Sequence, residues 1–155
     1  MKAIRSILVT LAALIALFAL SAPAAQADTK GLADSIMRMD YNTFIQYKGI
    51  RAPRPFNWSS DGCSWPTPAS LRHLFNLPCQ QHDFGYRNYG NGLRLGRNGN
   101  VRAWIDDRFL TEMRRLCIRT FYRLYQRGNQ ATCRGQASAM WTAVRHGGRD
   151  AFYNG

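Results

Sequence analysis

Residues 78–88 of this chain read PCQQHDFGYRN. Proline loses no hydrogen bond at the first position of a helix, so Pro78 predicts that a helix begins there. Four side chains fall at positions i, i+3, i+4 and i+7 of this helix and share one face: Cys79, His82, Asp83 and Tyr86. The face therefore combines a candidate general base, a neighbouring carboxylate and a cysteine that can anchor the helix.

Apolar residues recur at helical spacing through most of the remaining chain. Helices are predicted over residues 32–48, as one broken or two short segments, and over residues 67–75, 78–88, 101–126 and 130–146. Their predicted boundary signals are Thr67-Pro68 and Asn100 at starts, and Gly128-Asn129 and Gly147-Gly148 at ends. No alternating strand pattern or internal repeat is present. The predicted fold class is all-α, a small helical domain stapled by disulfides.

The first 27 residues have the pattern of a secretory signal peptide. Lys2 and Arg5 precede an apolar run over residues 7–20, and the small-residue cleavage pattern Ala25-Gln26-Ala27 follows. The apolar run is shorter than the roughly 20 residues of a membrane-spanning helix, which argues against a membrane anchor. We expect cleavage after this pattern, secretion to the extracellular space, and one mature domain over residues 28–155.

The chain is strongly basic, with a formal net charge of +12. Loss of Lys2 and Arg5 with the leader would lower this charge to +10. Such a balance favours anionic partners, which include lipid headgroups, cell-wall polymers and nucleic acid. Four arginines follow one side of the predicted long helix and are either a membrane-binding stripe or an ordinary solvated face: Arg108, Arg115, Arg119 and Arg123.

Four cysteines lie in the predicted mature part: Cys63, Cys79, Cys117 and Cys133. An even number in an exported chain predicts two disulfides, for which three pairings exist. Sequential pairing is the simplest, because each bridge then closes a gap of sixteen positions and contributes about 3 kcal/mol in the loop-entropy model. A metal site is the competing interpretation, but the chain has no C-x-x-C spacing and only three histidines.

Two acids on the predicted long helix are distinguished by helical phase. Asp106 shares a face with apolar residues and Cys117, so it is expected to point inward. Asp107 aligns with Arg114 and is expected to face solvent. Asp106 is therefore the better candidate for a buried partner of His82. A carboxylate on one ring nitrogen fixes the tautomer and leaves the other nitrogen free as a base.

Asp61 lies in a tight turn just before Cys63. A bridge from Cys63 to Cys79 would bring Asp61 close to Asp83. Two carboxylates with loop carbonyls suit Ca²⁺, a hard cation that takes oxygen ligands. An ordinary turn at Asp61 with a surface carboxylate at Asp83 explains the same residues, and the spacing alone does not choose between the two.

The chain resembles the secreted bacterial and fungal phospholipase A2 family. The resemblance is carried by Asp61-Gly62-Cys63-Ser64, by Cys79-x-x-His82-Asp83 with its tail Phe84-Gly85-Tyr86-Arg87-Asn88, and by Ile105-Asp106 on a helix that contains Cys117. It covers residues 61–133, most of the predicted mature domain. It implies an all-α fold with two antiparallel helices that carry the catalytic site. It also implies Ca²⁺-dependent hydrolysis of the sn-2 ester of glycerophospholipids.

The resemblance also implies a role for each matching residue. His82 would be the general base that activates water, and Asp106 would be its partner. Asp61 and Asp83 would bind calcium through carboxylates, and Gly62 through its carbonyl. The family's disulfides map to the sequential pairs. The implied partner is a phospholipid membrane or micelle surface, with an anionic one favoured by the charge, and nothing requires more than a monomer.

Two other functions compete with this one. A non-enzymatic cationic membrane-binding protein on the same fold would disrupt membranes even when EDTA removes calcium. A secreted nuclease would use a histidine, a metal and the positive charge, but the chain lacks the interleaved aromatic and basic residues expected for nucleic-acid binding. We therefore expect no nucleic-acid partner.

Overall fold

The computed structural model describes residues 26–64 and 67–155. The predicted signal peptide therefore lies outside the described residues, except for its last two positions. The chain divides into two units after Asp34, and the described part of the first unit, residues 26–34, is helical. The second unit, Ser35–Gly155, contains the remaining helices. None of the helices in the described ranges combines the length and the apolar composition of a membrane-spanning helix.

The described residues contain helices and no strand, which confirms the predicted all-α fold class. The helices are α1 (26–38), α2 (Tyr41–Ile50), α3 (Ala69–Gly85), α4 (Gly99–Thr120), α5 (Arg127–Gly147) and α6 (Arg149–Tyr153). A π-helical segment, Tyr86–Asn91, continues α3, and a 3-10 turn, Leu124–Gln126, precedes α5. As predicted, residues 32–48 form two helical segments, which Asp40 separates by capping α2.

Helix α3 runs without a break through Pro78, so the predicted start of a helix at that proline was wrong. Phe75 and Cys79, four positions apart on one face, are both buried in the core. Their packing fixes the helix on both sides of Pro78 and outweighs the one backbone hydrogen bond that proline removes. The helix begins at Ala69, where Pro68 is the N-cap instead of the first helical residue.

Helix α4 is shorter than predicted and ends at Thr120 instead of residue 126. Asn98, and not Asn100, caps its start, because the Asn98 side chain accepts a 3.0 Å hydrogen bond from the Val101 amide. The predicted break at Gly128-Asn129 was also wrong, since both residues lie inside α5. The Gln130 side chain donates to the Phe121 carbonyl and so stabilises the earlier turn. Gly147 ends α5, as predicted.

Both disulfides have the sequential pairing, Cys63–Cys79 and Cys117–Cys133. The second bridge joins α4 to α5. Contacts between these two helices run in opposite sequence directions, because Arg114 bonds Ser138 while Arg145 bonds the Ala103 carbonyl. The core between α3, α4 and α5 includes both bridges and a set of apolar side chains: Tyr41, Phe75, Phe109, Met113, Leu116 and Ala137.

The loop between α2 and α3 is held beside the end of α3. Asn88 accepts a 2.8 Å hydrogen bond from the Asn57 amide and donates a 2.9 Å bond to the Asn57 carbonyl. The Trp58 ring packs against Phe84, with ring centroids 4.6 Å apart. These contacts place the next residues, Ser60 to Gly62, next to α3.

Candidate active site

His82 on α3 faces Asp106 on α4. Nε2 of His82 lies 3.0 Å from Oδ1 of Asp106, and Asp106 is fully buried. Asp107 is exposed, so the structure separates the two acids as their helical phase predicts. Three residues later on α3, Gly85 packs against Ile105, which precedes Asp106 on α4. The two helices therefore run antiparallel.

Three more side chains surround the Asp106 carboxylate. Tyr86 donates a 2.8 Å hydrogen bond to Oδ1. Oδ2 lies 3.5 Å from Nη1 of Arg102 and 3.2 Å from Nε of Arg145. The Arg145 contact is ionic, since its geometry does not satisfy a hydrogen bond. Burial, with the neighbouring Asp106 charge, raises the pKa of Tyr86 well above its usual range, so its hydroxyl stays a neutral donor.

The imidazole ring of His82 packs against two aromatic rings. Its centroid lies 4.2 Å from that of Tyr86 and 4.7 Å from that of Phe109. Because the Asp106 carboxylate can only accept, Nε2 of a neutral His82 must carry the ring proton. The other ring nitrogen, Nδ1, then has a free lone pair. Among the described residues, none donates or accepts a hydrogen bond at Nδ1. His82 can therefore act as a base through that nitrogen.

A cavity of about 330 Å³ adjoins His82. This volume falls in the usual range of ligand pockets. Its apolar wall comes from α4 and α5 and includes Phe109, Met140 and Val144, and its polar side includes His82 and Asp83. The cavity can therefore accommodate an apolar group beside a base and a carboxylate.

Asp83 is joined to the loop before α3. Its Oδ2 accepts a 2.6 Å hydrogen bond from the Ser60 hydroxyl and a 3.2 Å bond from the Gly62 amide. Gly62 has φ of +68°, and a Cβ there would lie 2.9 Å from the Asn76 side chain, so the turn favours glycine. The bridge from Cys63 to Cys79 holds this turn against α3.

Asp61 is near Asp83, but its carboxylate has other partners. Arg87 donates to Oδ1 of Asp61, and the Ser64 hydroxyl donates a 2.8 Å bond to Oδ2. Of the predicted calcium ligands, Asp83 therefore contacts Gly62, although it does so through the Gly62 amide and not through the predicted carbonyl ligand. It places Asp61 at the surface in an ion pair with Arg87.

The electrostatics around Asp83 fit an oxygen-ligated cation. Burial raises the pKa of Asp83, the Ser60 hydrogen bond opposes this, and the charge of Asp61 raises it further. A carboxylate that is costly to ionise beside a second carboxylate is stabilised by a bound cation. In the described part of the chain, no group of three or more His, Cys, Asp or Glu side chains could hold a metal. Backbone carbonyls and water would therefore have to complete such a site.

The four predicted stripe arginines do not form one free face of α4. Arg108 and Arg115 both bind Glu112, which is buried and also accepts from the Tyr41 amide. Arg119 lies 3.4 Å from Asp40. Arg123 lies beyond the end of α4 and was wrongly placed on that helix.

Three arginines that contact site carboxylates were not identified from sequence: Arg102 and Arg145 contact Asp106, and Arg87 pairs with Asp61. Arg102 stands four positions before Asp106 on α4, and this i, i+4 spacing was a usable signal. Arg87 follows the His-Asp segment, but its partner Asp61 lies in a loop. Arg145 comes from α5, and no sequence spacing links it to Asp106.

Comparison with known proteins places this chain in a family. The family model for prokaryotic phospholipase A2 matches residues 33–148. A secretory phospholipase A2 of Beauveria bassiana is 30% identical over 132 residues, which are 82% of this chain and 65% of that protein. A secretory phospholipase A2 of Arthroderma benhamiae is 34% identical over 103 residues, 64% of this chain and 68% of that protein. The chain belongs to the prokaryotic phospholipase A2 family.

Proposed function

We propose that this protein is a secreted, calcium-dependent phospholipase A2 that releases the sn-2 fatty acid of glycerophospholipids. The observation that carries the proposal is the His82–Asp106 pair, 3.0 Å apart, with His82 lining a cavity that has an apolar wall. The family membership and the names of the two fungal relatives support it. The proposed selectivity for the sn-2 ester rests on the family resemblance.

In the proposed reaction, Nδ1 of His82 removes a proton from a water molecule. The water oxygen attacks the ester carbonyl carbon, and the bond from that carbon to the glycerol oxygen then breaks. The proton passes from His82 to the departing glycerol oxygen, so the products are a fatty acid and a lysophospholipid. Asp106 holds the Nε2 proton and stabilises the imidazolium that forms between these steps.

Tyr86, Arg102 and Arg145 keep Asp106 in place for this role. Their hydrogen bond and positive charges compensate a carboxylate that is fully buried. The apolar wall of Phe109, Met140 and Val144 would hold the acyl chain and exclude water from it.

Calcium would be held by the carboxylates of Asp83 and Asp61 and by the Gly62 carbonyl. When bound, the ion would supply positive charge for the substrate phosphate and for the ester oxygen as it gains negative charge. Asp61 would then be shared between the ion and Arg87. Asp83 is the stronger ligand candidate, because it is more buried and its Oδ1 has no hydrogen-bond donor among the described residues.

The test is release of fatty acid from vesicles whose phospholipid is labelled at the sn-2 chain. Activity is expected with calcium and is expected to disappear with EDTA. His82→Gln should lower turnover at least 1000-fold, as loss of a catalytic base does in other hydrolases. His73→Gln is the matched control, because His73 is also on α3 but is exposed.

Near-normal release by His82→Gln would contradict the assignment of the base. Membrane leakage without fatty-acid release, unchanged by EDTA, would instead support the non-enzymatic cationic alternative.

A further inference from the structure

Most of the exposed apolar side chains lie where α4 turns into α5. Among the described residues, six large hydrophobic side chains are exposed, and four of them lie within residues 118–125. Their exposed fractions are 51% for Ile118, 69% for Tyr122, 74% for Leu124 and 79% for Tyr125. We call residues 118–127, where α4 turns into α5, the α4–α5 tip.

The α4–α5 tip is also cationic. Residues 118–127 contain three arginines and no aspartate or glutamate. These arginines, Arg119, Arg123 and Arg127, are exposed. Arg119 lies near Asp40, whereas Arg123 and Arg127 make no ion pair within the described ranges. Arg123 instead stacks on Tyr122, 5.6 Å from its ring centroid.

The tip is held in a defined shape. The Cys117–Cys133 bridge joins the two helices at its base. The Gln130 side chain donates a 3.0 Å hydrogen bond to the Phe121 carbonyl, and the Phe121 amide donates to the Cys117 carbonyl. The exposed Leu and Tyr side chains therefore lie on a turn whose backbone is already ordered. Binding to a surface would cost little additional backbone entropy.

The tip is separate from the candidate active site. Ile118 follows Asp106 by twelve helical positions, which is about 18 Å along α4. The described residues that line the cavity include none from the tip. Whatever binds the tip is therefore not the acyl chain bound beside His82.

We propose that the α4–α5 tip anchors the protein to anionic bilayers. Tyr122, Leu124 and Tyr125 would enter the headgroup region, and the arginines would bind lipid phosphates. Tyrosine is favoured at this depth, and apolar contact combined with basic charge is the pattern of interfacial binding. The inference goes beyond the proposed function, because anchoring through the tip needs no ester hydrolysis. It replaces the predicted stripe, of which Arg108 and Arg115 bind Glu112.

The first test measures vesicle binding in a His82→Gln background, so that lipid is not consumed. Vesicles contain either phosphatidylglycerol with phosphatidylcholine or phosphatidylcholine alone. Leu124→Ser with Tyr125→Ser is expected to weaken binding to the anionic vesicles at least tenfold. Arg123→Gln and Arg127→Gln should each weaken it about fivefold at low salt.

The control variants are Ile50→Ser and Arg72→Gln, which alter an exposed apolar and an exposed basic side chain outside the tip. They should bind like the parent. The proposal is overturned if tip variants keep parental binding, or if the control variants weaken it as much. It is also overturned if the tip variants convert a dimer into a monomer in sedimentation without changing vesicle binding, because a second copy would then be the partner.

The second test uses the active protein. On a short-chain phospholipid below its critical micelle concentration, the kcat/KM of the tip variants should stay within about twofold of the parent value. The substitutions leave the cavity and the His82–Asp106 pair untouched. On anionic vesicles their rate should fall at least tenfold. Equal loss on both substrates would indicate damage to the active site and overturn the anchoring role. Absence of all fatty-acid release by the parent would refute the proposed function, while the vesicle-binding result would still decide the tip.

Discussion

The hydroxyl of Tyr86 lies 2.8 Å from Oδ1 of Asp106, the same oxygen that lies 3.0 Å from Nε2 of His82. One carboxylate oxygen therefore accepts from both the candidate base and a neutral phenol. The Tyr86 ring also packs on the His82 ring. Tyr86 thus restrains both members of the pair.

Tyr86→Phe keeps the ring and removes the hydroxyl. We expect unfolding free energy to fall by about 1.5–3 kcal/mol, the usual range for a hydrogen bond to a charged group. We expect kcat to fall roughly tenfold, because Asp106 is held less firmly while His82 remains. Thermal unfolding and initial rates measure the two effects. Tyr125→Phe, at an exposed position, is the control and should change neither the unfolding free energy nor kcat on a monomeric substrate. If Tyr86→Phe also left both quantities unchanged, the Tyr86 hydroxyl would not be needed.

Asp83→Asn should separate calcium binding from stability. Because burial and Asp61 raise the pKa of Asp83, its stabilising contribution is present at low pH and is lost as pH rises through that folded-state pKa. In the calcium-free protein this contribution is therefore lost as the Asp83 side chain ionises. The variant should be at least as stable as the parent in EDTA at pH 7, with the difference shrinking as the pH approaches about 4.

The same variant should bind calcium at least tenfold more weakly in calorimetric titration, because it loses a charged oxygen ligand. Asp150→Asn, on the exposed surface of α6, is the control and should bind calcium normally. Unchanged calcium affinity in Asp83→Asn would remove Asp83 from the proposed site.

The two disulfides offer a matched comparison, since each closes the same gap of sixteen positions. Replacing either pair by alanine should cost about 3 kcal/mol of stability. Only loss of Cys63–Cys79 should also weaken calcium binding, because that bridge holds the Gly62 turn beside Asp83. Calcium titration of both double variants under folded conditions tests this difference. Equal calcium affinities would show that the Ser60 and Gly62 hydrogen bonds suffice to hold the turn.

Gly90 is the site at which a methyl group should be most damaging. A Cβ there would lie 2.0 Å from the Phe152 carbonyl oxygen, so α6 would have to move. Gly90→Ala should lower unfolding free energy by more than about 2 kcal/mol. Gly135→Ala, inside α5 with open space around it, should instead stabilise by up to about 1 kcal/mol. Denaturant unfolding of both variants measures the contrast, and equal effects would show that α6 shifts easily.

The helical class and the main catalytic candidates could be predicted from sequence because they depend on local spacing. Asp106 was separated from Asp107 by helical phase, and the buried face of α4 has the expected period. The helix boundaries were less predictable. Pro78 and Gly128 are local signals for a break, yet both lie inside helices because packing and a disulfide outweigh a weak local preference.

Residue order and composition alone indicate the helical segments that carry His82 and Asp106 and the excess of positive charge, and they favour the sequential disulfide pairing over two others. The helices follow from apolar spacing over a few helical turns, and the charge follows from composition. Three further features appear only in the folded protein: Arg145 contacts Asp106, Arg108 and Arg115 bind Glu112, and the exposed apolar residues gather at the α4–α5 tip. Each of these depends on the packing or exposure of helices after folding, which no spacing along the chain specifies.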